Sequence, residues 1–159
     1  MIEPPQPDDV PVIERIAAET GAFNRTEVAI VREMLDTFFH PEPRDDHIFV
    51  VYRNGTPDVI GFACYGPTPL TDRIWDLYWI CVDRDHQKNG IGTVILQQVE
   101  QAVCNQGARA IYLETSDSPT YEPAREFYER NGYELLARID EFYAPGEGKV
   151  IYRKVFRKE

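Results

Sequence analysis

One stretch, Asp76 to Gln106, constrains the fold of this chain more than any other. At its start lies a β-branched and aromatic run, Trp75 to Val82, which predicts a mostly buried strand. A glycine-containing turn follows, Gln87-Lys88-Asn89-Gly90-Ile91-Gly92. Beyond the turn, apolar residues recur at three- and four-residue steps and predict a helix with one face in a core: Ile91, Val94, Ile95, Val99, Ala102 and Val103. A helix that directly follows a buried strand indicates an α/β fold.

The turn between this strand and this helix has the features of an anion-binding site. The first N–H groups of a helix have no partner inside the helix, and they lie at the positive end of its dipole. Glycines let the backbone approach a ligand closely. A turn that binds nothing would have the same spacing. The turn lacks the Gly-Lys-Ser/Thr of nucleoside triphosphate sites and the Gly-x-Gly-x-x-Gly of dinucleotide folds. It is therefore a candidate binding site for the pyrophosphate of a different class of ligand.

What the turn does match is the pattern Gln/Arg-x-x-Gly-x-Gly/Ala, and here the sequence resembles the GNAT superfamily of acetyl-CoA-dependent N-acetyltransferases. A second family signature, Phe-Tyr followed by three residues, glycine and an aromatic, is matched by Phe127, Tyr128, Gly132 and Tyr133. The resemblance extends from Trp75 to Ile139. It implies a single α/β domain of α+β type over residues 1–159, with a mixed, mostly antiparallel sheet of about six or seven strands flanked by about four helices.

In the GNAT family this turn wraps the pyrophosphate of coenzyme A, and the preceding strand splays from its neighbour to admit the pantetheine arm. The resemblance therefore implies acetyl-CoA as co-substrate and no metal. The residues that it assigns to the strand end and the turn are Ile80, Cys81, Val82, Gln87, Lys88, Asn89, Gly90, Ile91, Gly92 and Thr93. In the loop after the next predicted strand the family commonly carries an asparagine, for which Ser116 and Asp117 are approximate counterparts here.

Transfer of an acetyl group from a thioester to an amine requires a neutral amine and a proton for the departing thiolate. The family assigns the role of proton donor to the tyrosine of its Phe-Tyr signature, which Tyr128 matches. A phenol suits that role because its pKa is near that of a thiol. The alternative for Tyr128 is an inward aromatic residue on an amphipathic helix.

Two carboxylates are candidates for the base that takes a proton from the amine. Asp76 is a lone acid in an apolar strand, and it falls where lysine-acetylating members carry a glutamate. Strand alternation predicts that Asp76, Tyr78, Ile80 and Val82 share one face. The alternative for Asp76 is an acid at a strand end, either in solvent or paired with an arginine such as Arg73. Glu114, on the neighbouring predicted strand, is the second candidate, and its alternative is an exposed strand end or a structural ion pair.

The rest of the chain fits the same fold. A helical pair is predicted in the first forty residues, with Asn24 and Glu27 spaced as a capping box at the start of the second helix. Residues 48–52 and 59–65 are predicted strands joined by an Asn-Gly turn, and residues 133–156 a terminal hairpin. A first family strand is expected within residues 1–7, where prolines would keep it rudimentary.

Composition and charge limit the classes of binding partner that we expect for this chain. The net charge of −10 argues against nucleic acid, and it either attracts a cationic amine or serves solubility. No run is long and apolar enough for a membrane span, so we expect no membrane partner and a cytoplasmic protein. The three cysteines, Cys64, Cys81 and Cys104, show no metal spacing and are expected to be small buried residues.

The resulting hypothesis is an N-acetyltransferase that moves an acetyl group from acetyl-CoA to the primary amine of a small molecule, in a ternary complex. One alternative is an enzyme for protein N-termini or lysines, which needs an open groove. Another is a module that binds acyl-CoA without turnover. Since members of the family often dimerise through terminal strands, a homodimer is the candidate assembly.

Overall fold

The structure is a computed structural model, and it describes residues 1–20, 23–40 and 46–156. Seven strands form one sheet in the order β1-β2-β3-β4-β5-β7-β6, in which the β4–β5 pair is parallel and every other pair is antiparallel. The strands are β1 (Ile2–Glu3), β2 (Ile48–Arg53), β3 (Val59–Pro67), β4 (Ile74–Val82), β5 (Ala110–Ser116), β6 (Glu134–Ala144) and β7 (Glu147–Val155). The α-helices are α1 (Val10–Glu19), α2 (Arg25–Phe39), α3 (Ile91–Cys104) and α4 (Glu122–Arg130). The predicted mixed sheet with about four flanking helices is confirmed.

The helices cover the two faces of the sheet unequally. Helices α1 and α2 bury one face of β2, β3 and β4, in a cluster that includes Ile16 and Phe62. Helices α3 and α4 bury the opposite face, in a cluster that runs across to β7. Gly61 of β3 allows α3 to approach, since a Cβ there would lie 2.8 Å from the Ile95 side chain. On the α1–α2 side, the β5-β7-β6 half carries exposed side chains such as Glu114 and Ile139, and we call it the open face.

Local sequence signals explain the ends of several elements. The Asn24 side chain accepts from the Glu27 N–H at 2.9 Å and the Glu27 carboxylate accepts from the Asn24 N–H at 3.3 Å, so the predicted capping box begins α2. Gly132 ends α4 with φ of +89°, a conformation that suits glycine. The first strand, β1, has two residues, as expected for a proline-rich start.

One expectation about the cysteines is wrong. Cys64 and Cys81 are buried as predicted, but Cys104 is exposed at the end of α3. The apolar stripe of this helix passes through Val99 and Val103, which places the next residue, Cys104, on the outer side of the last turn. Among the described residues, no helix is long and apolar enough to cross a membrane.

Candidate active site

The sheet opens along the parallel pair formed by β4 and β5. Strands β4 and β5 are paired at three positions, Ile74 with Ala110, Trp75 with Ile111, and Asp76 with Tyr112. Beyond Asp76 the two strands have no further pairing, although β4 continues to Val82. Backbone groups on that side of β4 therefore have no strand partner and line a gap in the middle of the sheet.

A β-bulge at Tyr78 interrupts the alternation of side chains along β4 beside this gap. Trp79 pairs with Cys64 and Leu77 with Tyr65, which leaves Tyr78 without a partner on β3. The predicted common face of Asp76, Tyr78, Ile80 and Val82 is therefore wrong. Tyr78 packs with the α1–α2 cluster, whereas Ile80 and Val82 pack with the α3–α4 cluster. Because Leu77 belongs to the α3–α4 cluster, its neighbour Asp76 points to the other face.

The glycine turn leads from the end of β4 into α3 and exposes backbone donors. The first helical hydrogen bond runs from the Val94 N–H to the Gly90 carbonyl at 3.1 Å. The N–H groups of Ile91, Gly92 and Thr93 precede that bond and have no acceptor in the helix. Gly90 has φ of +75° and no atom within 4 Å of its Cβ position. The end of β4 thus leads from the gap between the strands to a free helix start.

The structure places the predicted turn residues as one continuous segment after β4. Lys88 adopts φ of +71°, and the Gln87 side chain donates to the Val82 carbonyl at 3.2 Å. Ile80 and Val82 reach the α3–α4 side, but the Cys81 side chain is buried on the α1–α2 side. Cys81 can therefore contribute to a ligand site through its backbone alone.

Asp83, which was not among the site residues predicted from the sequence, supports this turn. Its buried carboxylate accepts from the Asp85 N–H at 2.9 Å and pairs with Arg15 of α1 at 3.2 Å. Burial opposes ionisation, but the Asp85 N–H and the His86 and Arg15 side chains together hold the pKa of Asp83 below its ordinary value. The position of an acid directly between a buried strand and a turn was the available sequence signal.

The two sequence signatures meet at the start of α3. A Cβ at Gly92 would lie 3.2 Å from the ring of Phe127, so the glycine lets α4 pack against the first turn of α3. The next residue, Tyr128, is 9% exposed and packs against Phe127, Tyr133 and Tyr152 at ring-centroid distances of 5.4, 5.9 and 6.3 Å. Within the described part of the chain, its hydroxyl has no hydrogen-bond partner. Burial raises the pKa of Tyr128 well above that of an ordinary phenol, so this phenol keeps its proton at neutral pH.

Asp76 lies where β4 and β5 part. Its side chain is half-buried, and that burial raises its pKa, with a further contribution from the charge of Glu114. The nearby hydroxyls of Thr68 and Tyr78 act in the opposite direction, although Thr68 Oγ1 does not reach full hydrogen-bonding geometry. Tyr78 remains protonated, because burial and the neighbouring Asp76 raise its pKa to about 12. A carboxylate with a raised pKa is a stronger base than an exposed aspartate.

Glu114 occupies a different environment. It points to the open face from β5, its side chain is 54% exposed, and it pairs with Lys149 of β7. The ammonium group of Lys149 also lies 4.4 Å from the centre of the Phe142 ring. The geometry matches the structural ion pair that was the alternative for Glu114.

Ser116 and Asp117 are held within the fold. The Ser116 hydroxyl donates to Glu147 at 2.6 Å, and the Asp117 carboxylate accepts from the Gly148 N–H at 2.7 Å. Arg125 of α4 donates to the Ser116 and Ser118 carbonyls, both at 2.8 Å. These bonds tie the end of β5 to the terminal hairpin and to the helix that carries Tyr128.

The open face ends in a group of acids and aromatic rings that we call the acidic mouth, formed by Glu27, Glu114, Tyr121, Tyr143 and Glu147. The Tyr121 hydroxyl lies 3.5 Å from the Glu27 carboxylate. Burial is the largest cause of the raised pKa of Tyr143, and the charges of Glu114, Glu147 and Glu27 add to it. Elements distant in sequence therefore bring these carboxylates together. In the described part of the chain, no group of His, Cys, Asp and Glu side chains has the arrangement of a metal site.

Comparison with known proteins is consistent with this geometry. The family model for the acetyltransferase (GNAT) family matches residues 13–133. A GNAT-family protein from Desulfovibrio desulfuricans is 35% identical, with 98% of each chain covered and a TM-score of 0.90. No curated protein matches the chain.

Two more distant structures show the fold alone. An aminoglycoside 6′-N-acetyltransferase complexed with coenzyme A is 19% identical, with 100% of this chain and 99% of that chain covered and a TM-score of 0.76. The ribosomal-protein-S18-alanine N-acetyltransferase from Escherichia coli is 20% identical, with 100% and 95% covered and a TM-score of 0.75. On the match to the family model and to the Desulfovibrio protein, the chain belongs to the GNAT family of acetyltransferases.

Proposed function

We propose that this chain is an N-acetyltransferase that moves the acetyl group of acetyl-CoA directly to a primary amine, with both substrates bound together. One observation carries the proposal: the gap between β4 and β5 leads to the free N–H groups at the start of α3. An extended thiol arm fits the gap, and a pyrophosphate fits the helix start, where the space beside Gly90 is open. Its fold relative, the aminoglycoside acetyltransferase, is complexed with coenzyme A.

The two candidate catalytic side chains belong to opposite sides of the gap. Tyr128 lies on the α3–α4 side, and Asp76 points to the other face. Asp76, directly or through a water molecule, takes a proton from the amine, whose nitrogen then forms a bond with the thioester carbonyl carbon. The carbon–sulfur bond breaks, and Tyr128 donates its proton to the thiolate. Free N–H groups of β4 beside the gap are available to stabilise the carbonyl oxygen as it becomes negative.

The acidic mouth supports an amine as the acceptor. Glu27, Glu114 and Glu147 attract an ammonium group, and the rings of Tyr121 and Tyr143 can contact its hydrocarbon part. These groups converge from α2, β5, the terminal hairpin and the segment before α4, an arrangement that favours a small molecule. A protein N-terminus or lysine is the second candidate, and the uncovered open face favours it. A module that binds acyl-CoA without turnover is the third.

A homodimer is the assembly that β6 supports. All but the last residue of this eleven-residue edge strand are exposed, and exposed apolar edges tend to pair with another chain. Among the exposed residues are Leu136, Ile139 and Phe142, at 40%, 43% and 52%. An antiparallel pairing centred on Ile139 would place Arg138 opposite Asp140 of the partner subunit, so that opposite charges would face each other.

The proposed function is tested by following free thiol released from acetyl-CoA in the presence of a panel of primary amines. We expect release that depends on an amine and on Tyr128, together with an amine product heavier by one acetyl group. Binding of acetyl-CoA without thiol release for any amine, peptide or protein would favour the non-catalytic module instead.

A further inference from the structure

The open face carries a second cluster of charges, opposite in sign to the acidic mouth. A cavity of about 430 Å³ lies where β5 begins. Three arginines line it, together with Ile74, Tyr112 and Val155: Arg73, Arg109 and Arg153. A convergence of three guanidinium groups is notable in a chain with 27 acids and 17 Lys and Arg residues. We call it the arginine cavity.

The arginine cavity keeps unused hydrogen-bond donors. Arg73 pairs with Asp72 at 3.0 Å, and Arg153 pairs with Glu134 at 2.8 Å. Arg109 uses its Nε to bond the Asp72 carbonyl oxygen at 2.8 Å, and this Nε also lies 3.7 Å from the Asp72 carboxylate, which Arg109 shares with Arg73. The two terminal NH₂ groups of Arg109 bond no described residue. Since two carboxylates face three guanidinium groups, one positive charge remains, with donors in the geometry that binds carboxylates.

The register of the sheet places this cavity beside the proposed active site. Tyr112, in the cavity wall, is the strand partner of Asp76, and its hydroxyl accepts from Arg153 at 3.3 Å. Ala110, Tyr112 and Glu114 alternate onto the open face, so Glu114 lies about 7 Å along the strand from Tyr112. A molecule on this face therefore meets acids at one end and arginines at the other, with Asp76 between them.

We infer that the acceptor is an amino carboxylate, whose carboxylate binds in the arginine cavity while its terminal amine reaches the gap beside Asp76. This inference rests on the proposed function. The two ends of the face carry opposite charges, so a zwitterion binds in one orientation and presents its amine to the thioester. A hydrocarbon chain that spans about two strand residues separates the two groups of the acceptor.

The test compares two amines that differ in one group, 6-aminohexanoate and hexylamine, with acetyl-CoA in excess. We expect wild-type kcat/KM to be at least ten-fold higher for 6-aminohexanoate. The variant Arg109→Gln should raise KM for 6-aminohexanoate about ten-fold or more and leave hexylamine unchanged, because the lost interaction is a charged hydrogen bond. Arg32→Gln is the matched control, since it removes an exposed arginine paired with Glu14 and should change neither amine.

Equal kcat/KM for the two amines, or an equal loss for both in Arg109→Gln, would overturn the inference. A binding readout separates it from the proposed function. If no amine releases thiol, the function fails, but 6-aminohexanoate should still raise the unfolding midpoint of the wild type and not that of Arg109→Gln. No rise in the wild type at millimolar concentrations would refute the arginine cavity as an anion site.

Discussion

Replacement of Tyr128 by phenylalanine separates the catalytic role of the phenol from its structural role. The ring packs against three aromatic neighbours and stays in place, while the hydroxyl that is removed has no partner among the described residues. We therefore expect Tyr128→Phe to change the free energy of unfolding by less than about 1 kcal/mol. Loss of a general acid typically costs about 10²- to 10⁴-fold in rate, which corresponds to roughly 3 to 5 kcal/mol of transition-state stabilisation.

The matched control is Tyr133→Phe, in the adjacent buried ring. Its hydroxyl donates to Glu100 at 2.8 Å, so this variant should lose about 1.5 to 3 kcal/mol of stability and keep its kcat. Urea unfolding and thiol release under saturating acetyl-CoA measure the two quantities for both variants. The reasoning is refuted if Tyr128→Phe retains full kcat, or if Tyr133→Phe loses as much kcat as Tyr128→Phe does.

Three further predictions follow from single contacts. Burial raises the folded-state pKa of Asp76, so ionisation of this carboxyl destabilises the fold as pH rises through that pKa. Relative to the wild type, Asp76→Asn should therefore have a higher unfolding midpoint at pH 7 and the same midpoint at pH 3. Its kcat/KM at pH 7 should fall. If the wild type and Asp76→Asn had the same unfolding midpoint at pH 7 as well as at pH 3, the burial argument would be contradicted. Gly61→Ala should lower the free energy of unfolding in urea by about 1 to 3 kcal/mol, because the new Cβ would lie 2.8 Å from the side chain of Ile95 and 3.1 Å from the carbonyl of Cys81. An unchanged urea midpoint would show that α3 can shift freely. Ile139→Lys should convert a dimer to a monomer in light scattering, and a monomeric wild type would remove the basis for pairing through β6.

The elements with strong local signals were predictable from the sequence. The apolar stripe from Ile91 to Val103, the Asn24–Glu27 capping box and the glycine after α4 each depend on neighbours within a few residues. The predicted stripe was wrong at Val94, which is 45% exposed, because Leu96 occupies the core face of that turn instead. Hydrophobic periodicity and capping chemistry act over that range, so a single sequence reveals them.

The features that shape the candidate site depend on distant partners. The bulge at Tyr78 arises from the register between β3 and β4, and strict alternation along β4 could not reveal it. The support of Asp83 by Arg15 joins residues 68 positions apart, and the pairing of Glu114 with Lys149 requires β5 and β7 to be neighbours. The arginine cavity likewise appears only when three separate segments meet.

The central claim is that the start of α3 and the adjoining gap bind acetyl-CoA. The most direct measurement is the thermal unfolding midpoint of the full chain with and without acetyl-CoA, with ADP at the same concentration as the control. At about 100 times the Kd, a ligand that binds only the folded state adds roughly 2.7 kcal/mol, which predicts a rise of about 5 to 10 °C for a chain of this size. A rise with acetyl-CoA that ADP does not reproduce is the predicted result. An unchanged midpoint at millimolar acetyl-CoA would contradict the proposed site and the function built on it.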